Sequence, residues 1–421
     1  MLTYQDYLAA GDAGRFIARA IAAHTRSEGY ELALAADAYD RQRNITVNRY
    51  TKFISEHSDS ALVNASAANN RIPSNFFHQL NVQRCAYLLG NGVSFMDAST
   101  KARLGARFDR DFYQLARLSL IHGVSYGFWN RDRLHVFPMT QFVELPDAHT
   151  GELRAGIRFW SVGRDKPMRA VLYIPGGATD YREVEGGFEA MGPARPYVTR
   201  GEDYGGRLPV IRMYGSDLRQ STLVGMRAKI DAYDLIQSGF ANDLQDCAQI
   251  YWIIENCGGM RDEDLRRFLN KLTRDHVAVA DTRGMGAEAS SLKPYVQEVP
   301  FESRMAWLQF IRASIYEGFG ALDVHALSAG SRTATEIDAA YQPLDEAADD
   351  FEWQCSDAIA QLLALIGIQD EPVYKRNRVA NQYEQTRTVL LARDVLDRET
   401  LLRHLPWLTV DEVERIVRGQ G

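Results

Sequence analysis

Between Pro300 and Gly367 the residue spacing prescribes a helix, a short connection and a second, much longer helix. Proline opens the first helix, where its missing N–H costs nothing because first-turn donors are unpaired anyway. Phe301, Met305, Leu308, Ile311 and Ile315 then recur at threes and fours, one face of a helix, and Gly318 and Gly320 end it. The second helix carries Ile337, Tyr341, Leu344, Ala348, Phe351, Cys355, Ile359, Leu362 and Ile366, stepping by 4, 3, 4, 3, 4, 4, 3 and 4, close to a heptad seam. Pro343 lies inside that seam, so a kink is expected there. Ala321 to Arg332, between the helices, is small-residue and nearly neutral. Such a stretch buries little and moves cheaply.

The other side of the long helix is acidic. From Thr333 to Tyr374 there are ten carboxylates and no Lys or Arg. That segment carries −10 against −7 for the whole chain, leaving +3 elsewhere. Asp345, Glu346, Asp349 and Asp350 form its densest cluster. Two readings fit: a solvated helix face, or a wall that repels a polyanion and lets it pass without sticking. Periodicity alone does not choose between them.

The rest of the chain sets the frame. Its 421 residues suffice for several subdomains. Four cysteines, Cys85, Cys247, Cys257 and Cys355, form no C-x-x-C pair, which points to a reducing compartment. No stretch has the ~20 apolar residues of a membrane span, and no signal-peptide core opens the chain. A net charge of −7 argues against a coat that binds nucleic acid by bulk charge.

In chain order, residues 3–36 read as helical, followed by an irregular polar stretch from Tyr39 to Asn75. Asn75 is a plausible N-cap for a helix ended by Gly90 and Gly92. A further helix covers about Arg107 to His122 and stops at Gly123. From there to Ile211 short strands take over: a hairpin of Ser125–Trp129 with Leu134–Phe137, then Ile157–Val162, Ala170–Ile174 and Val210–Met213. A long helix is expected from about Ser221 to Asn256, where Gly258-Gly259 stops it. A small excursion follows, with a helix near Asp262–Leu272 and extended pieces at His276–Ala280 and Leu292–Val299. Seven basic and seven acidic residues balance its charge. Thr409-Val-Asp-Glu412 has capping-box spacing and opens a last helix. The fold class is therefore α+β.

Much chemistry is missing from the sequence. Gly-Lys never occurs, so no Walker-A loop is present. No H-E-x-x-H or C-x-x-C metal pattern appears, and the nine histidines are scattered. Asp349, Asp350 and Glu352 are the one set that could bind Mg²⁺ in principle, but neighbouring helix positions point about 100° apart and the set lacks a catalytic companion. No catalytic residue, metal site or cofactor is expected.

Several ordered motifs carry a resemblance. Asn75-Phe76 with Tyr87-Leu-Leu-Gly90, the aromatic hairpin after Gly123, Leu208-Pro-Val-Ile211, Ile230-Asp-Ala-Tyr-Asp234 with Ser238 and Asn242-Asp243, Val299-Pro-Phe-Glu302, and Glu399-Thr-Leu-Leu402 follow one another along the chain. In this order they resemble the portal proteins of tailed double-stranded DNA bacteriophages, of the siphovirus type. Ser221-Thr222-Leu223 departs from the family's Ser-Asp-Leu, and the C-terminus is short.

The resemblance implies a closed homo-oligomeric ring, twelve-fold in the virion, with a thirteen-fold form open to it when isolated, and with double-stranded DNA passing through it. It divides the chain into a wing (1–237), stem helices (238–257 and 300–319), a clip (258–299), a tunnel loop (320–332), a kinked long helix returning to the wing (333–384) and a crown (385–421). His325, Leu327, Ser328 and Arg332 would be the tunnel-loop residues nearest DNA, and Asp345, Glu346, Asp349 and Asp350 its acidic channel face. Arg266, Arg267 and Lys271 would serve docking on the clip. The implied partners are the terminase large subunit, head-completion or adaptor proteins, scaffolding and major capsid protein, and no membrane. The implied location is a capsid vertex, after assembly in the host cytoplasm. Two readings from other classes remain: a metal-dependent DNA-processing enzyme, and an oligomeric scaffold without DNA contact.

Overall fold

A computed structural model describes residues 2–49, 53–55, 61–63, 68–163, 165–198, 204–247, 251–255, 263, 291–295, 301–325, 334–378, 389–393, 396–405, 408, 413 and 415–417. Four helices open it: α1 (Tyr4–Leu8), α2 (Ala13–Thr25), α3 (Glu28–Asp40) and α4 (Ile45–Arg49). The sequence reads 3–36 as one helical region. The breaks inside it are set by side-chain caps, Asp12 accepting the Arg15 N–H and Ser27 accepting the Tyr30 N–H. Each satisfies a donor that a helix start leaves open. The hairpin β1 (Phe53–Ser55) and β2 (Ala61–Val63) follows.

Helix α5 (Phe76–Leu89) begins where expected, but the Asn75 side chain makes no capping bond. Its Oδ1 is buried without a partner. Next come β3 (Val93–Phe95), α6 (Ala98–Leu104) and α7 (Phe108–His122). Gly123 ends α7 in the left-handed region at φ 87°, and a Cβ there would lie 2.7 Å from the Gln220 backbone. Only glycine meets both demands.

The predicted β texture resolves into two antiparallel sheets. One has the order β11–β4–β5, from β4 (Val124–Trp129), β5 (Leu134–Pro138) and β11 (Val210–Tyr214). The other is a meander of β6 (Phe142–Pro146), β7 (Leu153–Trp160), β8 (Arg169–Ile174), β9 (Gly177–Val184) and β10 (Gly187–Ala190). Strands β6, β9 and β10 have no counterpart in the sequence reading.

Helix α8 covers Arg227–Cys247, shorter than the predicted 221–256. Tyr251–Glu255 is a strand, β12, paired antiparallel with β13 (Ser291–Tyr295). Trp252-Ile253-Ile254 explains the difference. Aromatic and β-branched side chains lose rotamer freedom in a helix and fit a pleated surface, although their spacing continues the helical seam. A helix running to about Asn256 is therefore incorrect. Of the predicted clip, Glu263 is helical, while Arg266, Arg267 and Lys271 lie outside the described residues.

Helix α9 (Phe301–Phe319) returns antiparallel along α8. Lys229 Nζ donates to the Ser314 carbonyl at 3.1 Å, the Phe240 and Phe301 rings lie 5.4 Å apart, and Arg304 pairs with Asp243. The opposite side of α8 clasps the segment before α5. Asp234 accepts the Ser74 N–H at 2.8 Å, Ser238 accepts the Ile72 N–H at 3.0 Å, and Asn242 accepts the Asn70 N–H at 2.5 Å. Three helix positions four apart thus meet three alternate residues of the other segment. Pro73, which has no N–H, falls on an unused rung. Burial raises the pKa of Asp234 despite hydrogen bonds from Asn44 and Ser74.

Helix α10 (Ala334–Ile366) bears out the predicted seam. Tyr341, Leu344, Ala348, Phe351, Cys355, Ile359 and Leu362 are all buried. From Phe351 onward they join Leu88, Phe112, Leu115, Trp129 and Ile211 in the largest core cluster. Gln361 of α10 also closes the free edge of β11, donating to the Arg212 carbonyl at 3.0 Å and accepting its N–H at 3.1 Å. Strand β14 (Pro372–Tyr374) then pairs with β3, and α11 (Arg398–Arg403) is capped by Asp397. Of the predicted last helix, the capping stretch 409–412 lies outside the described residues.

Candidate functional site at the α9–α10 junction

The turn out of α9 is held by α5. Gly320 has φ 57°, and a Cβ there would sit 2.9 Å from the Pro343 carbonyl oxygen and 3.0 Å from the Ala347 Cβ. Gln83 grips the Leu322 backbone twice, donating to its carbonyl at 2.9 Å and accepting its N–H at 3.0 Å. Arg84 donates to the Phe319 carbonyl, capping a helix end whose carbonyls need partners. Leu322 is buried, and Arg312 pairs with Asp323 at 2.9 Å. The expectation that the connection buries little from Ala321 onward is thus wrong for its first residues. Residues 320–323 belong to the packed body because Leu322 and the clamps on its backbone anchor them. His325 is exposed, its N–H donating to Asp323 at 3.1 Å. Leu327, Ser328 and Arg332 lie outside the described residues.

The carboxylates of α10 face different ways. Asp345 accepts from the Tyr87 hydroxyl at 2.5 Å and from Arg376 at 2.9 Å, and it pairs with Arg378. Arg376 also binds Asp349, and Glu352 at 3.2 Å. Arg378 reaches Asp338 at 3.6 Å and donates to the Tyr87 hydroxyl at 2.9 Å. The Asn377 N–H between them donates to the Tyr87 carbonyl at 2.7 Å. Four carboxylates and two guanidiniums thus form one network across α5, α10 and the segment after β14. Burial pushes the Asp345 carboxyl up, but its bonds from Tyr87, Arg378 and Arg376 outweigh that and hold it below 3.8. Burial likewise pulls Arg376 down, and its three carboxylate partners hold it above its ordinary value.

Asp350 turns the other way. Burial and the neighbouring Asp217 raise its pKa, against the Arg84 charge. Glu346 is exposed and accepts from Gln342 at 3.1 Å. The four predicted channel carboxylates are therefore not one face: Asp345 and Asp349 share Arg376, Asp350 sits beside Asp217, and Glu346 faces solvent. Among the described residues no group of His, Cys, Asp and Glu is placed to hold a metal ion. The sequence reading missed Arg376 and Arg378 because they lie just beyond the acidic window. Their i, i+2 spacing after a strand was the available signal, since alternate residues of an extended segment face one way.

Comparisons with known proteins bear on this arrangement. The family model described as phage portal protein, SPP1 Gp6-like, matches residues 32–418. A protein of Clostridium phage phiCD119 named portal protein is 29% identical over 215 residues, 49% of this chain and 46% of that protein. The match thus spans about half the length of that relative. Among solved structures, a chain from the neck of a native gene transfer agent particle, computed with C12 symmetry, aligns at TM-score 0.45 and 14% identity, over 82% of this chain and 90% of that one. A chain from the neck of the empty particle, computed with C6 symmetry, aligns at TM-score 0.44 and 13% identity, over 83% and 90%. No helix among the described residues is long and apolar enough to cross a membrane. The family model covers nearly the whole chain, from α3 to the last described helical residues, and this chain belongs to the SPP1 Gp6-like phage portal protein family.

Proposed function

We propose that this chain is one subunit of a ring at a capsid vertex, through which double-stranded DNA enters the head and later leaves it. The family match over 32–418 carries the reading. In this reading the antiparallel α8–α9 pair is part of the stem and β12–β13 lies at the root of the clip. The turn at 320–325 leads into the tunnel loop, whose tip includes His325, Leu327, Ser328 and Arg332. The ring is twelve-fold in the particle. It meets the terminase large subunit and head-completion proteins through the clip, including Arg266, Arg267 and Lys271, and scaffolding and major capsid protein through the wing. Assembly takes place in the host cytoplasm.

The acidic helix supports a passive conduit. A duplex slides past carboxylates with few lasting contacts, because phosphates within about a Debye length, ~8 Å at physiological salt, are repelled. The arrangement of Asp349, Asp350 and Glu352 favours this over metal-dependent DNA cleavage. Two of the three are committed to Arg376, and the third faces Asp217. Mass measurement and negative-stain imaging of the purified chain test the proposal. Closed rings with a lumen wide enough for a duplex are expected. A strictly monomeric species at micromolar concentration, or Mg²⁺-dependent cleavage of DNA, overturns it.

A further inference from the structure

At the C-terminal end of α10 the surface changes sign. Arg207 donates to the Ala364 carbonyl at 3.3 Å and Arg103 to the Ile366 carbonyl at 3.2 Å, so two guanidiniums serve carbonyls that a helix end leaves open. The β4–β5 turn stands beside them. The Arg207 N–H donates to the Tyr204 carbonyl at 3.1 Å, and the Arg131 guanidinium lies 5.4 Å from the centre of the Tyr204 ring. The same turn meets the α6–α7 connection, where a Cβ on Gly105 would lie 3.4 Å from the Asp132 carbonyl oxygen. That brings up the start of α7 with Arg107 and Arg110, which are three residues apart and share a side of the helix. All five arginines are exposed.

Three carboxylates share these segments. Asp109 is taken by Lys101 at 2.8 Å and Asp111 by Arg133 at 3.5 Å, and the third, Asp132, is exposed. Five guanidiniums therefore stand against one uncommitted carboxylate. The acidic stretch at Glu346 lies about 27 Å down the helix from Ala364, several times the Debye length of ~8 Å at physiological salt, and does not cancel them. Arg103 and Arg207 have a structural task as caps. Arg107 and Arg110 have none, since α7 begins without a side-chain capping bond. Arg131 sits at φ 72°, in the left-handed region that favours glycine. Asn130 holds that turn by accepting the Asp132 and Arg133 N–H groups at 3.0 and 2.8 Å. Residues 98–110, 130–138 and 204–212 expose no large apolar side chain. A protein partner is gripped through aromatic and aliphatic anchors, and this surface offers none. Arginines without such anchors suit phosphates, which the planar guanidinium fork matches with paired hydrogen bonds.

We infer that Arg107, Arg110 and Arg131, with Arg103 and Arg207 beside them, hold the phosphate backbone of double-stranded DNA at a site separate from the acidic side of α10. The contact touches no base edge, so it is independent of sequence and strongly salt-dependent. The site is complete within one subunit and does not require a ring.

Filter binding of the full chain to relaxed, covalently closed circular duplex DNA tests the site, because a circle has no end to thread through a channel. Retention that falls steeply with salt is expected. Arg107→Gln with Arg110→Gln and Arg131→Gly is expected to weaken binding at least tenfold at about 50 mM salt and to flatten the salt slope by about 2–3. Glycine suits the backbone at 131, so the thermal melt of this variant is expected to match or exceed that of the unmodified chain. A variant that holds the circle as tightly as the unmodified chain overturns the site. An equal loss from Arg26→Gln with Arg41→Gln and Arg43→Gln means that only bulk charge acts, and overturns it too. Retention of poly-glutamate but not of circular DNA by the same three arginines assigns the surface to an acidic protein instead. Closed rings that ignore circular DNA overturn this site and leave the conduit reading standing.

Discussion

Asp345 is the acceptor at which α5, α10 and the segment after β14 meet. Its pKa is depressed, so folding favours the carboxylate. That stabilisation is complete above about pH 4 and is lost as pH falls through the folded-state value. Asp345→Ala leaves the Tyr87 hydroxyl without its acceptor and two guanidiniums short of one. A loss of about 1–3 kcal/mol in denaturant unfolding at pH 7 is expected, shrinking as pH falls through the depressed folded-state value of the carboxyl. A difference that persists undiminished in acid would show that the cost is packing, not charge. Gly320 makes a second residue-scale test. Its positive φ and the closeness of the Pro343 carbonyl make Gly320→Ala cost about 1–2 kcal/mol by the same measurement.

Among the elements, the α8 clasp should behave as a cooperative unit. Ser238→Ala removes the acceptor of the part-buried Ile72 N–H and is expected to cost about 0.5–1.5 kcal/mol, with faster amide exchange at Ile72 and Ser74 than elsewhere in the body. Exchange that stays slow would mean that another group holds the segment. At the start of the connection after α9, removing Leu322 and Asp323 should lower thermal stability, since Gln83 and Arg312 grip that pair. The helices of this region were legible because their apolar periods are long and uninterrupted. The clamps were not, because Gln83 and Leu322 lie 239 residues apart, and no local pattern announces such a pairing. The strand at 251–255 was hidden for the opposite reason: its side chains kept a helical spacing while their branching favoured a pleat.

For the whole molecule, the charge of the long helix is smaller than its sequence suggests, since Arg376 and Arg378 lie across it. Of the four predicted channel carboxylates, Glu346 and Asp349 are the exposed ones, and on the reading proposed above they are the two of that set that would face passing DNA. Glu346→Lys with Asp349→Gln should leave rings intact and slow packaging, most at low salt, where an added phosphate contact holds longest. A packaging rate and salt dependence equal to the unmodified protein would mean that this side of the helix does not face the duplex. The α8 clasp also works as a vernier. Four helical residues advance about 6.0 Å, and two residues of an extended chain about 6.6 Å, so the two scales drift apart by roughly half an ångström per rung. Three rungs tolerate that drift, and a long row would not. Hence the clasp is more sensitive to length than to identity. One residue inserted between Asp234 and Asn242 would swing every later rung by about 100° and free the body's grip on α8.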